Sequence, residues 1–547
     1  MPVTESFSKN LASVARATAW ITQLQSRDTE SAQHMMLAAL SELERGTAPL
    51  SMDTINALAY SEEQLASLYA ESLQTFLRSA GLSKQVQYAL CQTMGDTYGA
   101  VARLYSRFLT EKGSNEAMTD DLFVLLSCRA MLAIGNRTKW ASFRQEQLDN
   151  ESWRLLHKLY QGAEEKELEQ RSIAAYMKPK ELELSPAQAY TRTLLLATLA
   201  SGAFNQRQLQ TTDEWLLAWC AGARLAQQFD RHKHFYYVDL AASTGARRVL
   251  GASSGKQLRF LSTDALSLQV ERAKMAFRQG QVTQSNGIDP IARAGEYAEL
   301  LDKIDRIWSP EWMRSDQRSH RRVAADNEPI SVVRGLDGLT AVATEDYEAE
   351  QPEASGPRTL SQEEEFDLKI YGFVREQTRA KAIQGRANAS AVKRESWLLI
   401  DESVNGYGVA LRADADQDLR LGQLVGVKRN KGNRWAVGYI TRRLVQSDHG
   451  QLFVGIEILS HNPVIVTLTE EADAPGQQGQ SWRALFMPGD QGRGRADSLI
   501  VDAALHTAGK DFTLSARNVS YYVRLPRVIR KGQGWQRVAF EVLAKRG

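Results

Sequence analysis

The sequence predicts a multidomain protein: an all-α N-terminal helical bundle or solenoid, then two small β-rich modules. Two observations predict it. From residue 1 to about 230, apolar residues recur at i, i+3, i+4 and i+7, as in Glu62–Leu77 and Ala187–Leu199, the period of a helix with one buried face. Beyond about residue 310 the period falls to two, and β-branched and aromatic runs alternate with Gly, Asn and Asp turns. A length of 547 residues with 43% apolar side chains is enough for several separate cores.

The elements follow in order. Helix starts are marked by cap residues at Asp28, Ser83, Asn150 and Ser185, the last followed by Pro186. Breaks between the helices are short, which predicts antiparallel hairpins over 1–230. No 34-residue period emerges, so tetratricopeptide repeats are not supported. Residues 231–312 read as a mixed α/β extension, with strands at Phe235–Leu240 and Leu258–Ser262 and helices over 263–280 and 293–308. The stretch 343–365 is acidic and rich in Pro, Ser and Ala, and is expected to be disordered. From 466 to 547, five alternating runs, beginning at Ser481, Asp497, Asp511, Tyr521 and Trp535, predict a second small β-barrel or sandwich.

One turn carries defined chemistry. Trp397-Leu-Leu-Ile runs as a strand, breaks into Asp401-x-Ser403-x-x-Gly406, and resumes as Tyr407–Leu411. Asp401 offers a carboxylate acceptor, Ser403 a hydroxyl, and Gly406 freedom to take positive φ. Such a set suits the hydrogen-bonding edge of a purine; it also suits an ordinary side-chain-capped hairpin. Ahead of it, Arg318-Ser-His-Arg321-Arg322 precedes the strand-like Pro329–Gly335. Guanidiniums at Arg318 and Arg322 can pair bidentately with phosphate or with a guanine O6/N7 edge.

Together these segments resemble the Arg-x-x-x-Arg and Asp/Asn-x-Ser-x-x-Gly signatures of PilZ domains, small β-barrels that bind the bacterial second messenger cyclic di-GMP. The later runs Leu421–Val427, Arg434–Ile440 and Leu452–Leu459 are similar to the remaining barrel strands. The resemblance implies a barrel over 313–465 and a nucleotide site built from Arg318, Arg321, Arg322, Asp401, Ser403 and Gly406. It departs from compact members in the long link between Arg322 and Asp401, which places an insertion at 340–394. Arg375 and Arg379 form a competing Arg-x-x-x-Arg at a better distance, but no credible strand separates them from Trp397. Strand quality therefore favours Arg318 and Arg322.

Other classes find less support. Net charge is +2 with signs interspersed, which argues against a DNA- or membrane-binding field. Basic runs at 428–434 and 524–531 lack the interleaved aromatics of an RNA-stacking platform. Cys91, Cys128 and Cys220 sit far apart in apolar helical contexts and read as buried thiols of a reducing compartment. His232 and His234 have no ligand partner at a metal-binding spacing. Gly251–Lys256 falls one residue short of a phosphate loop, and Gln257 replaces its hydroxyl. The N-terminus has no basic segment leading into an apolar core, and Thr193–Ala200 is too short to span a bilayer. No catalytic constellation stands out, and signatures of cyclic di-GMP synthesis or hydrolysis are absent. The expectation is a cytoplasmic, non-enzymatic receptor without cofactor or metal. Its ligand is cyclic di-GMP, and its helical region serves a protein partner. The alternative is a degenerate barrel that binds protein alone.

Overall fold

In the computed structural model, the described residues are 7–78, 83–112, 118–177, 181–199, 202–220, 224–249, 255–279, 294–309, 323–350, 373, 375–376, 393–403, 405–412, 419–429, 434–446, 451–470, 480–489, 496–505, 509–516 and 519–546. They fall into two compact units, 1–319 and 320–547.

The first unit is mainly helical. Its centre is the helix Asp120–Phe143, buried on all sides from Phe123 to Phe143. That accounts for a sequence apolar nearly all round rather than along one stripe. The caps work as local chemistry dictates: Asp28 accepts from the Ser31 amide at 2.8 Å. Ser185 and Gln188 each bond the other's backbone amide, a capping box around Pro186. At the next-to-last expected cap the register moves by one residue. Asp149, not Asn150, accepts from Ser152 and also pairs with Arg137. A carboxylate there satisfies the helix end and a cation together.

The region also holds strands that the helical reading of 1–230 did not foresee. β1 (Ile173–Tyr176) and β2 (Leu182–Leu184) form a hairpin whose Ala175 and Leu184 enter the main core. Tertiary burial overrides a composition without strand character there. β3 (Arg224–Ala226), β4 (His234–Asp239), β5 (Arg247–Arg248) and β6 (Leu258–Ser262) form a four-stranded sheet. The helices Asp264–Arg278 and Ala294–Trp308 follow, and Trp308 is fully buried.

Charge is also buried in this unit. The Asp213 carboxylate accepts from Lys139 Nζ at 2.9 Å and from Arg192 at 2.7 Å. Burial alone would raise the Asp213 pKa, but the two cations hold it below the ordinary value. A depressed carboxylate contributes stability above its unfolded pKa and loses that contribution as pH falls through the folded one. Replacing Asp213 with Asn leaves two cations facing a neutral partner. We expect Asp213→Asn to lower unfolding free energy by about 3–5 kcal/mol at neutral pH, with the gap narrowing in acid, as read by urea titration of helical circular dichroism.

The second unit begins with β7 (Val323–Arg334) and the helix Gly335–Glu350. It continues with β8 (Glu395–Ser403), β9 (Gly406–Arg412), β10 (Leu424–Arg429), β11 (Ala436–Gln446) and β12 (Gln451–Ser460). These six strands close into a barrel in the order β10-β11-β12-β9-β8-β7, with β7 pairing back onto β10. Trp397, Leu399, Val409, Val425, Val454 and Ile456 alternate into its interior. The first strand is thus the segment expected at Pro329–Gly335, ending at Arg334 and extended back to Val323.

The expected disorder over 343–365 is overturned for its first part, since residues 343–350 belong to the helix Gly335–Glu350. Leu339 and Val342 pack against Val333 and Leu424 on the barrel's outer wall. Apolar anchors at the helix start outweigh the acidic composition that follows. The rest of 343–365 lies outside the described residues.

The C-terminal module is an eight-stranded antiparallel sheet. To the five expected runs it adds β13 (Val464–Glu470) and β18 (Val528–Lys531), and it splits the run Trp535–Leu543 in two, the second part becoming β20 (Glu541–Arg546). The others are β14 (Ser481–Met487), β15 (Ser498–Asp502), β16 (Asp511–Ala516), β17 (Val519–Arg524) and β19 (Trp535–Val538). One apolar set, including Leu468, Leu499, Phe512 and Val523, makes its own core. A second set, including Leu485, Met487, Ile500 and Trp535, packs with the helix Gly335–Glu350 on the barrel. The Trp535 indole N–H donates to the Gly422 carbonyl at 2.7 Å and pins the two together.

Candidate functional site on the barrel

The Asp401–Gly406 turn joins β8 to β9, and its aim depends on an irregularity. Leu399 pairs with Val409, and Asp401, two residues further along, pairs with Gly408, so Ile400 is an extra residue in the strand. Plain alternation from Trp397 and Leu399 would send Asp401 into the barrel. The bulge turns it outward. Gly408 completes the placement: a Cβ there would stand 2.5 Å from Asp401 Oδ1, so the carboxylate lies over bare backbone.

Ser403 is held within the turn, its hydroxyl donating to the Gly406 carbonyl at 3.3 Å. Gly406 has a different reason from the one the sequence suggested. Its φ is not positive. Its Cβ position lies 2.5 Å from the Ile456 carbonyl oxygen, so glycine is needed where β12 crosses the start of β9.

Arg318, Arg321 and Arg322 lie outside the described residues, as does Arg379; Arg375 is exposed. The strand that follows the first arginine group is placed, however. Val323 pairs with Glu402 and Ala324 with Asp401.

A further arginine was not singled out from sequence. Arg429, at the end of β10, donates to Glu328 at 2.6 Å and to Glu402 at 2.8 Å. It ties β7, β8 and β10 at the same end of the barrel as the turn. Its hydrogen bond to Glu328 raises its pKa, and burial lifts the Tyr407 hydroxyl against the pull of Arg429. In the sequence Lys428-Arg429 is only part of a basic run; a cross-strand acid pair is not visible without register.

Among the described residues no group of three or more His, Cys, Asp or Glu could hold a metal. His234 instead bonds the Asp230 amide through Nδ1 at 2.9 Å and stacks on Phe260. Burial pushes the thiols of Cys91 and Cys220 up, to about 12 and about 11. Among the described residues no helix is long and apolar enough to cross a membrane.

Two family descriptions match the chain: "Cyclic-di-GMP receptor FimW, N-terminal domain" over residues 15–229, and "Cyclic-di-GMP receptor FimW, middle PilZ domain" over residues 338–463. The chain belongs to the FimW family of cyclic-di-GMP receptors. The PilZ match takes in five of the six barrel strands, with the turn at Asp401, and begins inside the helix Gly335–Glu350. The N-terminal match falls within the helical unit. No curated protein and no solved structure matches.

The two glycines give contrasting expectations. Gly406→Ala meets backbone that cannot yield and should cost about 1–3 kcal/mol of stability. Gly408→Ala meets only the Asp401 side chain and should cost less than about 1 kcal/mol. Denaturant unfolding followed by Trp fluorescence checks the contrast; equal losses would refute it.

Proposed function

We propose that this chain is a non-enzymatic receptor of the bacterial cytoplasm that binds cyclic di-GMP on its barrel and passes the bound state to a protein partner through its helical unit. Asp401 accepts from guanine N1–H and N2–H₂. Ser403 and Gly406 set the turn. Arg318, Arg321 and Arg322 clamp phosphate or the O6/N7 edge. The carrying observation is the pairing of Val323 and Ala324 with Glu402 and Asp401, which sets the start of β7, the strand that follows the arginine group in sequence, beside the turn. Family membership supports the ligand. Three free, buried cysteines fit a reducing compartment.

A second reading is a barrel that binds only protein. It is favoured by Ser403, whose hydroxyl is already used inside the turn.

Calorimetric titration of the full chain decides between them. Arg318→Ala or Arg322→Ala should each weaken cyclic di-GMP binding by about 1.5–3 kcal/mol, whereas Arg375→Ala and Arg379→Ala should leave it unchanged. Asp401→Ala should cost cyclic di-GMP affinity, leave any cyclic di-AMP binding as it was, and barely move ligand-free melting. Loss of ligand-free stability with no nucleotide effect would make Asp401 a structural cap and favour the protein-only reading.

A further inference from the structure

The bulge that turns Asp401 outward has a counterpart across the sheet. On β11, Ile440 pairs with Ile456, and Arg442, two residues on, pairs with Gly455, leaving Thr441 as the extra residue. Thr441 Oγ1 donates to the Gly455 carbonyl at 3.1 Å and holds the bulge. Ile440 faces the barrel core, so unbroken alternation would point Arg442 inward as well. The bulge brings it to the outer face instead.

The register then sets four residues in one row. Asp401 pairs with Gly408, Gly408 with Gly455, and Gly455 with Arg442. Directly paired residues of antiparallel strands share a face. The two middle positions carry no side chain, and both outer side chains fold onto them. The Asp401 carboxylate covers Gly408; the Arg442 stem covers Gly455, its Nε 2.6 Å from where a Cβ would be. Asp401 and Arg442 start three strand spacings apart, about 14 Å, yet converge over two adjacent glycines whose backbones lie about 5 Å apart. Two bulges and two glycines, at matching places on either side, bring one acid and one arginine together on the outer wall.

We infer that Arg442 is a further ligand-binding residue of this site. It completes with Asp401 an acceptor and donor pair matched to a single guanine. Guanine presents N1–H and N2–H₂ as donors beside O6 and N7 as acceptors, so a carboxylate and a guanidinium held side by side can read both edges of one base. This rests on the proposed binding of cyclic di-GMP. It adds a guanidinium delivered by β11, from a strand remote in sequence from both signature motifs.

The test is calorimetry of the full chain with cyclic di-GMP for the wild type, Arg442→Gln, Gly455→Ala and the double variant. Arg442→Gln should weaken binding about ten- to hundred-fold with melting unchanged. Gly455→Ala, whose new methyl must displace the Arg442 stem, should weaken it similarly, and the double variant should be no worse than Arg442→Gln. Salt dependence identifies the contacted atom. An unchanged slope in Arg442→Gln supports the base edge; a flatter slope means Arg442 meets phosphate and overturns the pairing on guanine. If the wild type binds and Arg442→Gln and Gly455→Ala bind equally well, Arg442 is no ligand residue and the receptor reading stands. If the wild type does not bind, the receptor reading itself fails.

Discussion

Closure of the barrel by β7 is the constraint on which the second unit depends. This strand pairs on one side with β8, from Val323↔Glu402 to Val332↔Glu395, and on the other with β10. Without it β8 and β10 would present open edges, and the interior around Trp397 and Val425 would be exposed. Its inner residues Ile330 and Val332 complete that interior, while Val333 faces out and receives Leu339 of the next helix. Its N-terminal end lies beside the Asp401 turn, through the pairs Val323↔Glu402 and Ala324↔Asp401. Its C-terminal end launches the helix that the eight-stranded sheet packs against. One strand therefore serves core, docking face and candidate site.

Within that frame, irregularity supplies the chemistry. A barrel of unbroken alternation would offer an apolar inside and a generic polar outside. The bulges at Ile400 and Thr441 redirect single side chains, and the glycines at 408 and 455 clear the ground they lie on. Gly406 is tight for another reason, the passage of the Ile456 carbonyl. The ion pairs of Arg429 with Glu328 and Glu402 close the adjacent barrel end. These charges are partly exposed, so their contribution is modest and mainly one of orientation.

Much of this was legible in the sequence because its causes are local. The strand–turn–strand around Asp401, the glycine-punctuated strands of the barrel and the helix periodicity before residue 230 all depend on neighbours within a few residues. Choosing the segment before Trp397 by strand quality led to Val323–Arg334 as the first strand. What was not legible depends on partners far along the chain. The helix Gly335–Glu350 was masked by acidic residues, though Leu339 and Val342 bind it to the barrel wall. The hairpin 173–184 forms because Ala175 and Leu184 find a core built by other helices. The two bulges are invisible in a single strand, since a bulge is a mismatch in count between two. The reason for Gly406 could not be read either, because the obstacle is a carbonyl fifty residues away.

In the proposed site β7 delivers its preceding arginines to a nucleotide held over Asp401 on the barrel wall. Hydrogen–deuterium exchange of the full chain, with and without cyclic di-GMP, addresses it directly. Cyclic di-GMP should slow exchange at 318–324, at 400–408 and at 441–456, with no change at 375–392. Protection at 375–392 with none at 318–324, or no protection anywhere on the barrel, would contradict it.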